Sequence, residues 1–284
     1  MRRRFPALTA LLRGQMSDWL HSPRTVIMGL VILALAFMNA KSLSSSMEQY
    51  SLTSNVGEGI FMYLSTGFGN ILSISAFFLI MVSEIPRRNA FQNSMLIRSS
   101  RSQWLRSQIL FCFTVVALMM LLMILLSMVL SIPSLSPGSG WSTPLELDPD
   151  APWVPSFVPE YIRVLPPWQA NLLSAAILFA FWFTMVLVIL LCSLAGRPNL
   201  GLILYVFLLV LHVTVMWENL PPFLRHMPTW YSNLSSIAGQ YPDHELETVP
   251  IVLVVYAIVD FILIGLMHLQ VRTMDMRFAE KEKA

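Results

Sequence analysis

The sequence predicts an all-α membrane protein. It has six transmembrane helices, an N-terminal amphipathic helix at the membrane interface, and both termini in the cytoplasm. Three observations predict this. Apolar residues make up 56% of the chain and charged ones 12%, where a soluble domain has roughly 45–50% and about 25%. Six long stretches are nearly free of charge, and a bilayer admits only segments that satisfy their own backbone hydrogen bonds, so these stretches are helices. The basic residues gather in alternate connections, which sets the orientation.

The spans fall at about 24–42, 60–83, 107–132, 170–194, 200–217 and 249–270. With the N-terminus inside, the inner segments hold 15 of the 18 lysines and arginines, and the outer ones only Lys41, Arg163 and Arg225. The acidic residues lean outward, among them Glu146, Asp148, Asp150, Asp243, Glu245 and Glu247. Trp19 and Trp104 stand at the inner boundary and Trp168, Trp217 and Trp230 near the outer one, as aromatic anchors do. The first span follows a long amphipathic segment, so it reads as an uncleaved span rather than a signal peptide. The whole forms a single transmembrane domain in the cell's inner (plasma) membrane.

Ahead of the first span, residues 5–20 place Phe5, Leu8, Leu12, Met16, Trp19 and Leu20 at three- and four-residue steps. Thr9, Arg13, Gln15, Ser17 and Asp18 take the other side. That is the pattern of a helix lying among the inner headgroups, with Arg2, Arg3 and Arg4 near anionic lipid. His21-Ser22-Pro23 ends it, and Pro23 suits the first turn of the next helix.

The connection 84–106 concentrates Arg87, Arg88, Arg98, Arg101 and Arg106, a third of the 15 arginines, in one inner segment. Phe91, Met95 and Arg98 fall at i, i+4 and i+7, which allows a short helix with an apolar face and a basic end. A topology signal needs fewer charges. Contact with headgroups or with a cytoplasmic partner would use this many.

Here the sequence resembles the membrane subunits of type 2 ABC transporters, the ABC-2 permease family. Asp18-Trp19-Leu20-His21-Ser22-Pro23-Arg24-Thr25 resembles the family's interface helix and its Ser-Pro-Arg-Thr-like lead into the first span. The stretch from Ser83-Glu84 to Arg101-Ser102-Gln103 is similar to its acidic residue, basic cluster and Ser-Arg step after the second span. His226-Met227-Pro228-Thr229-Trp230-Tyr231 resembles the Pro-aromatic element of the fifth outer connection, so 218–248 would hold short re-entrant helices. The six-span plan covers the whole chain. It departs at Asn89-Ala90, where the family often has glycine-threonine, and in the outer loop 133–168, which holds nine of the 18 prolines.

The resemblance implies a permease that couples ATP hydrolysis by a separate cytoplasmic ABC ATPase to export. Its partners would be that ATPase, a second permease copy or a homologous permease, and the lipid bilayer; no nucleic acid is expected. The segment 84–106 would be the coupling helix, with Glu84, Arg87, Arg88, Phe91, Met95 and Arg98 at the contact and Arg13 at a second one. Arginine suits such a joint because its fork binds carboxylates bidentately and keeps its charge.

The chain itself has no GxxxxGK[ST], and none of Lys41, Lys281 and Lys283 follows a glycine. ATP and Mg would therefore bind only through the partner, and the chain is expected to hold no cofactor and to be no enzyme itself. An intramembrane protease is disfavoured: Gly138-Ser139-Gly140 lies in the outer loop, His212 and His268 sit at different depths, and there is no HExxH. Cys112 and Cys192 fall inside spans at no metal-type spacing and read as small buried side chains; no metal site is expected.

Two groups of polar residues lie inside spans. Gly59, Tyr63, Thr66, Asn70 and Ser73 form a stripe along the second span, which serves either helix packing or a translocation path. Asp260 lies halfway along the last span, where an acid costs about 2.5–3.5 kcal/mol, so it should face protein or a watery path. Asn70 and Asp260 both sit about 15–17 Å from the outer surface, which pairs them by depth. A proton-coupled carrier using Asp260 is the alternative to the exporter. Peptide, antibiotic, lipid-linked glycan and lipid all stay open as cargo; an apolar lining would favour an amphiphile, and the 18 methionines and 17 phenylalanines fit such a lining and ordinary helix packing equally.

Overall fold

The computed structural model describes residues 5–49, 56–65, 68–83, 85, 100–132, 140–141, 162, 164–217, 228, 230–234, 237 and 247–273. These form α1 (Phe5–Leu20), α2 (Pro23–Gln49), α3 (Val56–Ser65), α4 (Phe68–Val82), α5 (Arg101–Ser131), α6 (Pro167–Leu194), α7 (Pro198–Trp217), a 3-10 turn at Trp230–Ser232 and α8 (Thr248–Thr273). No strand occurs among the described residues. Among the described residues, four helices are long and apolar enough to cross a membrane: Pro23–Ser45 within α2, then α5, α6 and Thr248–Arg272 within α8. This is an all-helical membrane protein.

Helix ends differ from the hydropathy windows because hydrogen bonding continues past the apolar run. α2 reaches Gln49 through Lys41 and a serine cluster. α5 begins at Arg101, so the last six residues of the 84–106 segment are its first turns. Ser100 caps it with a reciprocal box: the Gln103 N–H donates to Ser100 Oγ at 3.3 Å, and the Ser100 N–H donates to Gln103 Oε1 at 3.2 Å. Its 31 residues span about 46 Å, more than the hydrocarbon core.

α6 is the core helix. In its apolar window 56% of the residues are buried in protein, against 17% for α8. It packs on α3, α5, α7, α8 and the 3-10 turn. The outer surfaces of α2, α7 and α8 expose Phe37, Phe207 and Phe261, so the bundle is apolar outside as well as inside. That is the arrangement lipid tolerates and water does not.

Small and polar residues draw the helices together. An added Cβ at Gly59 on α3 would collide with Ser131 on α5, and Ser127 Oγ donates to the Gly59 carbonyl at 2.9 Å. Tyr63 is buried, and its hydroxyl donates to the Ile32 carbonyl of α2 at 3.0 Å. The Asn171 amide of α6 donates to the Gly57 carbonyl at 2.9 Å, and Ser65 bonds to Ser174. Close approach plus interhelical hydrogen bonds is how helices associate in lipid, where apolar contact with a neighbour is no better than contact with a tail.

α6 and α7 form a tight hairpin. Gly196, at φ +76°, takes the left-handed position that ends α6. The Arg197 N–H donates to the Cys192 carbonyl at 3.0 Å and the Gly196 N–H to the Ser193 carbonyl at 3.1 Å, the Schellman pair. Trp182 of α6 stacks on Phe78 of α4 at 4.9 Å, and its indole N–H donates to Ser75 Oγ at 3.1 Å.

Candidate functional site

Two regions carry chemistry: the end of the bundle where α1 packs, and a groove beside Asp260.

At the first of these, α1 folds back onto α5. Its carbonyl at Trp19 accepts from the Ser22 N–H at 3.1 Å and from Thr25 Oγ1 at 2.7 Å, which fixes the turn into α2. The buried stripe of α1 is Leu11, Gln15 and Trp19, with Leu8, Leu12 and Met16 partly buried. This corrects the expected faces. Gln15 is 3% exposed and Leu20 is 55% exposed, because α1 turns its Leu11–Gln15–Trp19 face against α5. Trp19 and Trp104 are likewise buried in protein and are not lipid-facing anchors. Arg13 stays on the exposed side.

That junction is polar-rich without being paired. Both amide atoms of Gln15, the indole nitrogens of Trp19 and Trp104, and Nε2 of Gln108 are buried without a hydrogen-bond partner among the described residues. An unpaired buried amide costs about 1–3 kcal/mol, whereas an apolar group of the same shape does not. Gln15→Leu is therefore expected to raise the apparent thermal midpoint of the detergent-solubilised protein, by about 2–4 °C for each kcal/mol relieved. A fall in the midpoint would mean that the amide is satisfied.

The arginine-rich segment is anchored at both ends. At its start, the Arg24 guanidinium donates to Ser83 Oγ at 2.7 Å and to the Ile80 carbonyl at 3.4 Å, a cation at the C-terminal end of α4. Ser193 Oγ of α6 donates to the Ile85 carbonyl at 3.1 Å. At its end, the Arg101 guanidinium donates to the Arg272 carbonyl in the last turn of α8, at 2.9 Å. Arg24 and Arg101 thus act as helix-end donors, a role their count alone does not reveal. Glu84, Arg87, Arg88, Phe91, Met95 and Arg98 lie outside the described residues.

The groove lies between α7 and α8 with α6 as its floor, a space of about 540 Å³. Thr184, Met185 and Val188 come from α6, Gly201 and Tyr205 from α7, Val255 and Tyr256 from α8, and Pro228 and Tyr231 from the segment between α7 and α8. Gly201 lets α7 approach so closely that an added Cβ would stand 2.8 Å from the Ile189 Cα of α6. Thr184 Oγ1 donates to Asp260 Oδ1 at 2.6 Å. Tyr256, one turn before Asp260 on α8, donates its hydroxyl to the Pro228 carbonyl at 2.7 Å, and Tyr205 donates to the Ser75 carbonyl at 3.3 Å.

Asp260 thus bonds to Thr184; the side chain of Asn70, which depth matching paired with it, lies outside the described residues. Depth matching finds residues at one level of the bilayer; only packing decides which helices touch, and α8 packs chiefly on α6. Thr66 lies outside the described residues. Asn70 and Ser73 fall within α4, but their side chains are outside the described set. Sequence reasoning missed Thr184, Tyr205 and Tyr231. Tyr256 was legible as the i−4 neighbour of Asp260. Buried Glu58, in the first turn of α3, also went unremarked.

The predicted outer loops are described only in part. Trp141 docks back on the bundle, with its indole N–H donating to the Leu165 carbonyl at 2.8 Å and its ring edge-on to Phe61 at 5.6 Å. Within 218–248, the 3-10 turn packs on α6, and Leu234 and Ile237 are fully buried. Both cysteines are free thiols. No group of three or more metal-ligating side chains occurs among the described residues. Comparison with family models, with curated proteins and with solved structures gives no match.

Proposed function

We propose that this chain is the membrane subunit of an ATP-driven exporter, an ABC-2-type permease that moves an amphiphile outward while a separate cytoplasmic ATPase hydrolyses ATP. It works as a dimer with a second copy or a homologous permease in the cell's inner membrane. Six spans cross: α2, α3 together with α4, α5, α6, α7 and α8, with both termini inside.

The observation that carries this reading is the anchoring of the arginine-rich segment. Ser193 ties its start to the core helix α6, and Arg101 ties its end to α8. A push on such a segment is delivered to the helices that line the groove. A segment serving only as a topology signal has no use for those ties. The absence of a phosphate-cradling motif from the sequence leaves ATP hydrolysis to a partner.

The charge-reversed variant Arg87→Glu/Arg88→Glu tests it. Opposed to a carboxylate-bearing surface, the pair is expected to weaken co-purification of the ATPase about a hundredfold or more, with membrane insertion unchanged. Retention of the ATPase at normal stoichiometry would overturn the assignment. Asp260, an acid in mid-helix, favours the proton-coupled carrier as a second reading. Transport that persists without any ATPase and stops with a protonophore would select it.

A further inference from the structure

The groove beside Asp260 has a chemical bias. Its volume of about 540 Å³ lies within the range of small-molecule sites. Its walls are mostly aliphatic and aromatic. Three of its five polar lining residues have their donors engaged elsewhere: Tyr205 bonds to Ser75, Tyr256 to Pro228, and Thr184 to Asp260, while Tyr231 and Thr248 complete the polar lining. With both hydroxyls fixed, Tyr205 and Tyr256 have their rings left to offer. The Asp260 carboxylate stands behind the lining Thr184 rather than in the lining itself, and away from water its charge repels an anion in the groove and attracts a cation, as the faces of the lining aromatic rings also do.

Asp260 holds the matching position. It sits one turn from Tyr256 and next to Val259, both lining residues, and is hydrogen-bonded to the lining Thr184. Oδ1 takes the Thr184 proton, and among the described residues Oδ2 meets no donor. An acid placed in mid-span is retained where it has a counter-charge or a path to serve.

We propose that the α6–α7–α8 groove binds a lipophilic cation, an apolar or aromatic body carrying one positive charge, with the charge beside Asp260 and the body along Val255, Tyr256 and Tyr205. Binding at this site does not depend on the exporter reading. Only the further step, that such a cation is the cargo, rests on it.

The test uses the full chain in phosphatidylcholine nanodiscs without any ATPase, with tetraphenylphosphonium as the probe and tetraphenylborate as its anionic counterpart of the same shape. The cation is expected to bind saturably, one per chain, and the anion only as it partitions into lipid. Asp260→Asn should weaken the cation at least tenfold while keeping the size-exclusion profile of the parent. Val255→Trp should block binding by filling the groove with Asp260 intact, and Val254→Trp, an exposed neighbour outside the lining, should not. Equal binding of the two ions, or an Asp260→Asn variant that binds as the parent does, would overturn the proposal and leave the groove to lipid chains. A Val255→Cys variant that cross-links to a second copy, in a parent protein that takes up no cation, would overturn it in favour of a subunit interface. Loss of ATPase association in the charge-reversed variant leaves these binding results unchanged, so the two readings fail separately.

Discussion

Gly201→Leu is expected to separate α7 from α6 and to cost far more stability than Gly265→Leu on α8. Even a Cβ would stand 2.8 Å from the Ile189 Cα and 3.2 Å from the Cys192 Cβ. The first of these is backbone, which cannot rotate away. Overpacking of this kind costs about 1–3 kcal/mol and more when a helix must move. Here the moved helix also carries the Tyr205 hydrogen bond to Ser75. The variant should lower the apparent midpoint by about 4–8 °C or more and remove the groove's inner wall. Gly201→Ala should show a smaller loss in the same direction. Gly265→Leu on α8 is the control: nothing lies within 4 Å of its added Cβ, so its midpoint should stay near that of the parent. Equal behaviour at the two positions would show that α6 and α7 do not pack this closely.

Trp182→Ala is expected to be nearly as damaging. Trp182 is fully buried, stacked on Phe78 with 13° between the planes, and hydrogen-bonded to Ser75. Truncating a buried aromatic costs about 3–5 kcal/mol in a soluble core. In lipid the transfer contribution shrinks, because the unfolded reference is apolar too. The lost dispersion contacts remain, and a lipid chain cannot reach the hole, so about 3 kcal/mol is expected. Trp182→Phe keeps the stack and loses only the hydrogen bond, for about 1 kcal/mol. Thermal unfolding of the two variants in one detergent separates the contributions. An alanine variant no worse than the phenylalanine one would mean that the stack contributes nothing.

The two variants act at different levels. Gly201 could be noticed in the sequence only as a glycine near the start of an apolar run. Nothing in the chain order says that Ile189 is its neighbour, because that contact depends on the hairpin made by Gly196. Trp182 reads as one more aromatic in a greasy span. Its partners, Phe78 and Ser75, lie 104 and 107 positions away along the chain.

The N-terminal helix shows the same divide from the other side. Its amphipathic periodicity was legible, and a helix forms over residues 5–20. Which face would be buried was not, since periodicity assigns polar residues outward by default. Packing against α5 instead buried Gln15 and exposed Leu20. In the same way the arginine count marked the 84–106 connection, while the division of labour became visible only where Arg24 and Arg101 met the carbonyls of Ile80 and Arg272.

Composition and hydropathy by themselves determined that this is an all-helical membrane protein, because a bilayer accepts few kinds of backbone and demands long apolar runs of any chain that crosses it. They also placed Asp260 in mid-span, since an isolated charge in such a run stands out. The tertiary structure alone decided that Asp260 bonds to Thr184, that α6 is the central helix, and that a groove opens between α7 and α8. Apolar helices all look alike to a hydropathy window. Their neighbours are chosen by local shape, by a glycine that lets two backbones meet and a hydroxyl that finds a carbonyl, and those features act between residues far apart in the chain.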